Sequence, residues 1–72
     1  MIIKNLKGAI IFEYDGSAKV TVEAAVKAGV SLAYADLRDF DLTSADLTCA
    51  DLTCANLTRA DLTDADLFGA AR

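Results

Sequence analysis

Eight aspartates lie between residues 31 and 72 of this 72-residue chain, and most recur at five-residue intervals. They are Asp36, Asp39, Asp41, Asp46, Asp51, Asp61, Asp64 and Asp66. Catalysis by paired carboxylates requires two of them to face each other across a cleft. Aspartate ladders that bind calcium occur with a glycine-rich nonapeptide repeat, which is absent here. The chain has no histidine, so the commonest general base is missing. We therefore expect no enzyme activity, no cofactor and no metal site.

The charge is unevenly distributed along the chain. Residues 1–30 carry four lysines against three acids, a net charge of +1, whereas residues 31–72 carry eight aspartates against three arginines, a net charge of −5. An acidic field repels nucleic acid and anionic lipid and attracts basic protein surfaces. The composition therefore argues against direct DNA binding and in favour of a basic protein partner.

Two cysteines, Cys49 and Cys54, are five residues apart. That spacing gives them equivalent positions in successive units, and a disulfide would require Cα atoms within about 7 Å. We expect both to be small surface or corner residues. No segment approaches the roughly 18 apolar residues of a membrane span, and the start lacks a signal-peptide pattern, so a cytoplasmic location is expected with no membrane contact.

A five-residue repeat dominates residues 30–70. Leucine recurs at 32, 37, 42, 47, 52, 57, 62 and 67, with Asp or Asn directly before it in seven of the eight units. Two residues before each leucine stands an apolar residue, usually alanine. A period of five fits neither a helix nor a long strand, so each unit should be a short extended piece followed by a corner, with Leu and Ala inward and Asp outward. Threonine follows leucine in five units, and we expect its hydroxyl to form a hydrogen bond with the local backbone.

This pattern resembles the pentapeptide-repeat family, whose motif is A(D/N)LXX. The resemblance implies a mainly β fold, a right-handed quadrilateral β-helix with four units per coil, and hence two coils here. Residues twenty apart would then stack, which places Asp41 on Asp61, Asp46 on Asp66 and Asp39 opposite Arg59. Phe40 departs from the motif and is expected to plug one end against the N-terminal segment.

Residues 1–29 are predicted to cap the coils, so that residues 1–72 form a single domain. Ile2–Leu6 and Ala9–Tyr14, separated by Lys7-Gly8, indicate a β-hairpin. Thr21 is predicted to N-cap a short α-helix over residues 22–28, and Gly29 to end it. At the other end, Leu67, Phe68 and Ala70 should leave an apolar surface exposed, on which a second copy could stack as a homodimer.

Two functions from different classes fit these features. In size, acidity and cap-plus-repeat plan, the chain resembles small phage or mobile-element proteins, among them anti-CRISPR inhibitors that cover the DNA-binding face of a Cascade-type CRISPR surveillance complex. Family members that resemble duplex DNA bind DNA gyrase, but they need a longer rod. The first hypothesis is thus an acidic DNA mimic that acts through the eight aspartates. The alternative is a structural or protein-interaction module that uses its C-terminal coil end.

Overall fold

The computed structural model describes residues 1–72. Strand β1 spans Ile2–Asn5, β2 spans Ile10–Glu13, helix α1 spans Ala18–Lys27 and β3 spans Ala35–Asp36. Beyond β3 the chain consists of regular turns joined by isolated parallel bridges. Helix α1 has 10 residues, and no helix of the chain is long and apolar enough to cross a membrane.

The predicted hairpin is confirmed. β1 and β2 pair antiparallel, with Ile3 opposite Phe12, and the register shifts between Ile3 and Lys4. The turn is held by the side chain of Asn5, whose Oδ1 accepts hydrogen bonds from the N–H groups of Lys7 and Ala9 at 2.9 and 3.0 Å. Ile3 is fully buried, so the inner face of the hairpin packs on the core.

The helix begins four residues earlier than the sequence predicted. Ser17, not Thr21, is the N-cap, and its hydroxyl accepts from the N–H of Val20 at 3.3 Å. Thr21 is instead a fully buried helical residue packed with the core-facing side of α1, so tertiary burial decided between two residues that both favour caps. The predicted end is confirmed: Gly29 has a φ of 75° and follows the C-cap.

Every repeat unit turns a corner at the same position. The residue two after each leucine has a positive φ between 57° and 63°, or 72° at the glycine, and the next residue's N–H donates to the leucine carbonyl. These residues are Tyr34, Asp39, Ser44, Cys49, Cys54, Arg59, Asp64 and Gly69. A four-residue turn with positive φ only at its third position matches type II geometry. The repeat is therefore a series of short extended pieces and tight corners, as the period of five predicted.

Units stack on the unit four positions further along the chain. Parallel bridges join Asp36 to Asn56, Asp41 to Asp61, Asp46 to Asp66 and Asp51 to Ala71. Backbone hydrogen bonds of 2.8–3.0 Å repeat the same pattern, for example from Leu42 N–H to the Asp61 carbonyl and from Asp61 N–H to the Phe40 carbonyl. The repeats thus form a β-helix, and the predicted pairing of residues twenty apart is confirmed.

The core lies between the N-terminal elements and the first units of the repeat. Leu32, Leu37, Leu42, Leu47 and Leu52 are at most 2% exposed, and they form one cluster with Ile3, Val22, Ala25, Ala35, Ala45 and Ala50. The later leucines of the same column, Leu57, Leu62 and Leu67, are only half-buried. Burial is therefore complete where the hairpin and helix cover the coil and incomplete at the opposite end.

The hairpin and the helix attach to different sides of the β-helix. β1 pairs antiparallel with β3, with Lys4 opposite Asp36, so the hairpin extends one side as additional strands in the order β2-β1-β3. α1 attaches through Glu23, whose Oε2 accepts from the N–H of Asp46 at 2.8 Å. Phe40 is half-buried and lines a groove with Ile2 and Lys4, which places it against the N-terminal segment as expected.

Candidate interaction surfaces

The aspartates that precede a leucine share one local arrangement. The Oδ1 atom of Asp46 accepts from the N–H of Thr48 at 3.1 Å and from its hydroxyl at 2.6 Å. Asp41, Asp51, Asn56 and Asp61 hold the threonine two residues later in the same way. The threonine hydroxyl therefore bonds a side chain, not the backbone as predicted. Because Asn56 serves equally well, the turn requires an acceptor oxygen but no charge.

These hydrogen bonds alter the acidity of three carboxyls. The pKa values of Asp46, Asp51 and Asp61 are lowered, in each case first by the threonine hydroxyl and then by the threonine N–H, both of which stabilise the ionised form. The side chain of Asp51 receives a further bond at Oδ2 from the Ser31 hydroxyl at 3.2 Å. The free Oδ2 atoms of the others remain available to a partner.

Two of the eight predicted partner-binding aspartates are paired within the chain. Arg38 makes a two-point contact with Asp36, with Nε and Nη2 each 2.8 Å from a carboxylate oxygen, and this lowers the Asp36 pKa to about 2. Arg59 contacts Asp39 through Nε at 2.7 Å, which confirms their predicted apposition. The charges of both aspartates are already balanced, so their sites differ from the rest of the set.

Five of the others form a continuous surface that we call the acidic face: Asp41, Asp46, Asp61, Asp64 and Asp66. Asp41 bridges to Asp61 and Asp46 to Asp66 on neighbouring sides of the coil, and Asp64 lies at the corner between those sides. All five side chains are exposed, and none has a cation within ion-pair distance. Lys27 is near enough to contribute to the lowered pKa of Asp46. The eighth predicted residue, Asp51, lies on the next side.

The predicted C-terminal end is open. Phe68 is 79% exposed, more than any other large apolar side chain, while Leu67 and Ala70 are half-buried. The N–H groups of Leu57, Leu62 and Leu67 make no hydrogen bond, although their equivalents one coil earlier bond across the stack. This end therefore presents both apolar side chains and unpaired strand edges.

Cys49 and Cys54 are free, exposed and located at corners, where φ is 62° and 57°. No group of three or more His, Cys, Asp or Glu side chains is placed to hold a metal ion. Sequence reasoning missed the role of Oδ1 in the turns. The available signal was threonine two residues after Asp or Asn in five consecutive units, an arrangement typical of Asx turns.

Comparison with known protein families identifies the repeat. The family model for pentapeptide repeats matches residues 28–64, with eight copies of the repeat. No curated protein and no solved structure matches the chain.

Proposed function

This chain belongs to the pentapeptide-repeat family, and from that premise we propose that it acts by binding and not by catalysis, with its acidic face occupying the DNA-contacting surface of a DNA-binding protein or complex. The single observation that carries the proposal is the set of five exposed carboxylates on two neighbouring sides without an internal cation. The partner would supply lysines and arginines to these groups.

The turns of the repeat do not require the charge of the acidic face. Asn56 forms the same turn as the aspartates, so asparagine would satisfy the local geometry throughout. Instead, carboxylates stack at a spacing of about 4.8 Å, where like charges oppose each other. Duplex DNA carries one charge per roughly 1.7 Å of its axis, so stacked carboxylates reproduce its field coarsely. A binding role explains why charge is kept where asparagine would form the same turn.

The size of the molecule favours one class of target. We propose that the eight units wind as two right-handed coils of quadrilateral section and that residues 1–72 form a single domain. The longest dimension, 28 Å, is below the roughly 34 Å of one DNA turn. Such a body fits a short DNA-contacting groove, and we place a Cascade-type CRISPR surveillance complex ahead of gyrase, with an anti-CRISPR role of the phage or mobile-element type. Action in the cytoplasm is part of this proposal.

Displacement of labelled duplex DNA tests the proposal. The purified chain is titrated into a Cascade-type complex, and separately into gyrase, at low and high salt; salt-sensitive displacement from one of them is expected. A face variant, Asp41→Asn, Asp61→Asn and Asp66→Asn, should displace DNA at least about tenfold less well because its charges are lost. It should stay folded because asparagine keeps the turn acceptor.

A matched control distinguishes a local surface from net charge. The variant Glu13→Gln, Asp15→Asn and Asp51→Asn loses the same three charges outside the acidic face and should compete like the parent. If both variants displaced DNA equally poorly, the overall charge of the chain, and not the acidic face, would account for the displacement. Absence of displacement by the parent from both complexes would refute mimicry of DNA for these targets.

A second candidate function is favoured by a separate observation. The half-buried leucine column, the unpaired strand edges and the exposed Phe68 suit an interaction module that works through its C-terminal coil end, including a homodimer. Phe68→Asp should then abolish association while DNA displacement by the acidic face persists. Unchanged association in the Phe68→Asp variant would contradict an interaction through the C-terminal coil end.

A further inference from the structure

An apolar groove lies where the hairpin turn meets the first corner of the repeat. Its apolar lining comes from Leu6, Ile11, Ala33 and Tyr34, and its volume is about 360 Å³. We call this the hairpin groove. Leu6 and Tyr34 are 50% and 57% exposed, so the groove presents apolar surface to solvent. Asn5 and Lys7 complete the lining, so its only charged group is a cation.

The groove is held in shape by backbone contacts. The carbonyl of Tyr34 accepts from the N–H of Leu6 at 2.9 Å, which ties the hairpin turn to the corner. The N–H of Tyr34 donates to the carbonyl of Thr53 at 2.8 Å, which ties the corner to the unit stacked on it. The side chain of Tyr34 therefore projects from a corner fixed on two sides.

Phe68 has the complementary properties. It occupies a position where five other units have threonine, so an aromatic ring stands where the repeat normally places a small polar group. Its N–H donates to Oδ1 of Asp66 at 3.0 Å, so the backbone that carries the ring is fixed by the same turn as its neighbours. Asp66 and Asp64 precede it by two and four residues, and both carry a negative charge.

We propose that Phe68 of one copy of this chain inserts into the hairpin groove of a second copy. The ring is exposed and does not line the groove of its own molecule, so a contact between the ring and a groove joins two molecules. Charge supports the pairing, because Lys7 lines the groove while the carboxylate of Asp66 accepts a hydrogen bond from the N–H of Phe68. The inference rests on the second candidate function and names the partner surface of the C-terminal end.

This contact differs from a two-fold stacking of C-terminal ends. Its two surfaces are different parts of the chain, so a pair joined by one contact retains one free ring and one free groove. Two point variants can therefore each remove one half of the contact. A variant that lacks the ring still has a groove, and a variant that lacks the groove still has a ring.

Sedimentation of two such variants, alone and mixed, is the test. Phe68→Asp removes the ring, and Tyr34→Asp spoils the groove at a corner type that Asp39 and Asp64 already occupy with positive φ. The parent should associate with rising concentration, and each variant alone should remain monomeric. The mixture should form a complex of two chains, because the Tyr34→Asp variant supplies the only intact ring and the Phe68→Asp variant supplies the only intact groove. Circular dichroism checks that both variants fold.

A corner control and two outcomes make the test decisive. Ser44→Asp adds an aspartate at another corner and should associate like the parent. If Tyr34→Asp associates like the parent while Phe68→Asp does not, Phe68 meets another surface; the groove proposal fails and the C-terminal interaction module stands. If the parent is monomeric at every concentration, or the mixture forms no complex, the proposed contact is refuted.

Discussion

The two oxygens of a repeat aspartate do different work. Oδ1 accepts from the residue two positions later and shapes the turn, whereas Oδ2 faces solvent in most units. In the case of Asp51, Oδ1 holds the N–H of Thr53 at 3.1 Å and its hydroxyl at 2.6 Å. If the acceptor oxygen is removed, the N–H and the hydroxyl of Thr53 can bond only to water and the turn loses its side-chain support. Removal of the negative charge alone leaves both hydrogen bonds in place.

Asp51→Ala is therefore expected to lower the melting temperature, and Asp51→Asn to stay close to the parent, because only asparagine keeps an acceptor oxygen at the Oδ1 position. Asn56 shows that an amide oxygen serves, since it holds Thr58 in the same way. Thermal unfolding followed by circular dichroism measures both variants. Equal destabilisation by the two substitutions would mean that charge, and not the acceptor, supports the turn.

Replacement of Gly69 by a larger residue has two costs that can be separated. Its φ is 72°, and a Cβ at this position would lie 3.2 Å from the Cys49 sulfur. Gly69→Ala is expected to destabilise the chain by about 1–2 kcal/mol from the left-handed backbone, with an added cost from the contact. In a Cys49→Ala background the contact is absent, so the same change should cost less. Denaturant unfolding measures the loss of unfolding free energy in both backgrounds. An identical loss would show that the contact with the Cys49 sulfur does not contribute.

At the scale of elements, the repeat was predictable because its signal is redundant. Eight leucines in one column and a period of five specify inward and outward positions and the pairing of residues twenty apart, and no single departure, such as Phe40, disturbs the register. The helix start was not predictable by the same means. Ser17 and Thr21 both favour N-caps, and only the burial of Thr21 against the coil, which depends on tertiary packing, decides between them.

The contacts that attach the elements to one another also could not be predicted from the sequence. Glu23 and Asp46 are 23 residues apart and follow no shared pattern, yet the carboxylate of Glu23 accepts from the Asp46 N–H. The ion pair of Arg38 and Asp36 forms within one turn, where the N–H of Arg38 also donates to Oδ1 of Asp36 at 3.3 Å. The acidic face could therefore be predicted in composition, and the pairing of Asp39 with Arg59 followed from the stacking of residues twenty apart. The ion pair that occupies Asp36 required the structure.

Amide hydrogen exchange tests the attachment of α1. Glu23→Ala is expected to speed exchange at the Asp46 N–H, because that donor loses its acceptor, while the Asp66 N–H, which donates to the Ala45 carbonyl at 2.9 Å, keeps its protection. Glu23→Gln, which retains a side-chain oxygen, serves as the control. Unchanged exchange at Asp46 in the alanine variant would show that the side chain does not hold the helix to the coil.

For the whole molecule, repulsion between stacked carboxylates opposes folding, whereas hydrogen bonds to the same carboxylates favour it. A change of pH separates these two effects on stability. Five carboxyls have pKa values below the ordinary aspartate value of about 3.9, mainly through hydrogen bonds that exist only in the folded chain: those of Asp36, Asp39, Asp46, Asp51 and Asp61. Because the unfolded chain takes up protons first as the pH falls, the stability from these groups is complete above the unfolded pKa. It is then lost as the pH falls through the folded values, which reach about 2 for Asp36.

The melting temperature should consequently fall between about pH 4 and pH 2. The variant Asp46→Asn, Asp51→Asn and Asp61→Asn should show a smaller fall, since an amide acceptor does not titrate in this range and the threonine bonds persist. The control Asp15→Asn and Asp64→Asn removes carboxylates that accept no hydrogen bond in the structure and should follow the parent. A parent melting temperature that rises on acidification would show that relief of repulsion within the acidic face outweighs loss of the hydrogen bonds, and the turn network would then contribute less to stability than the geometry indicates.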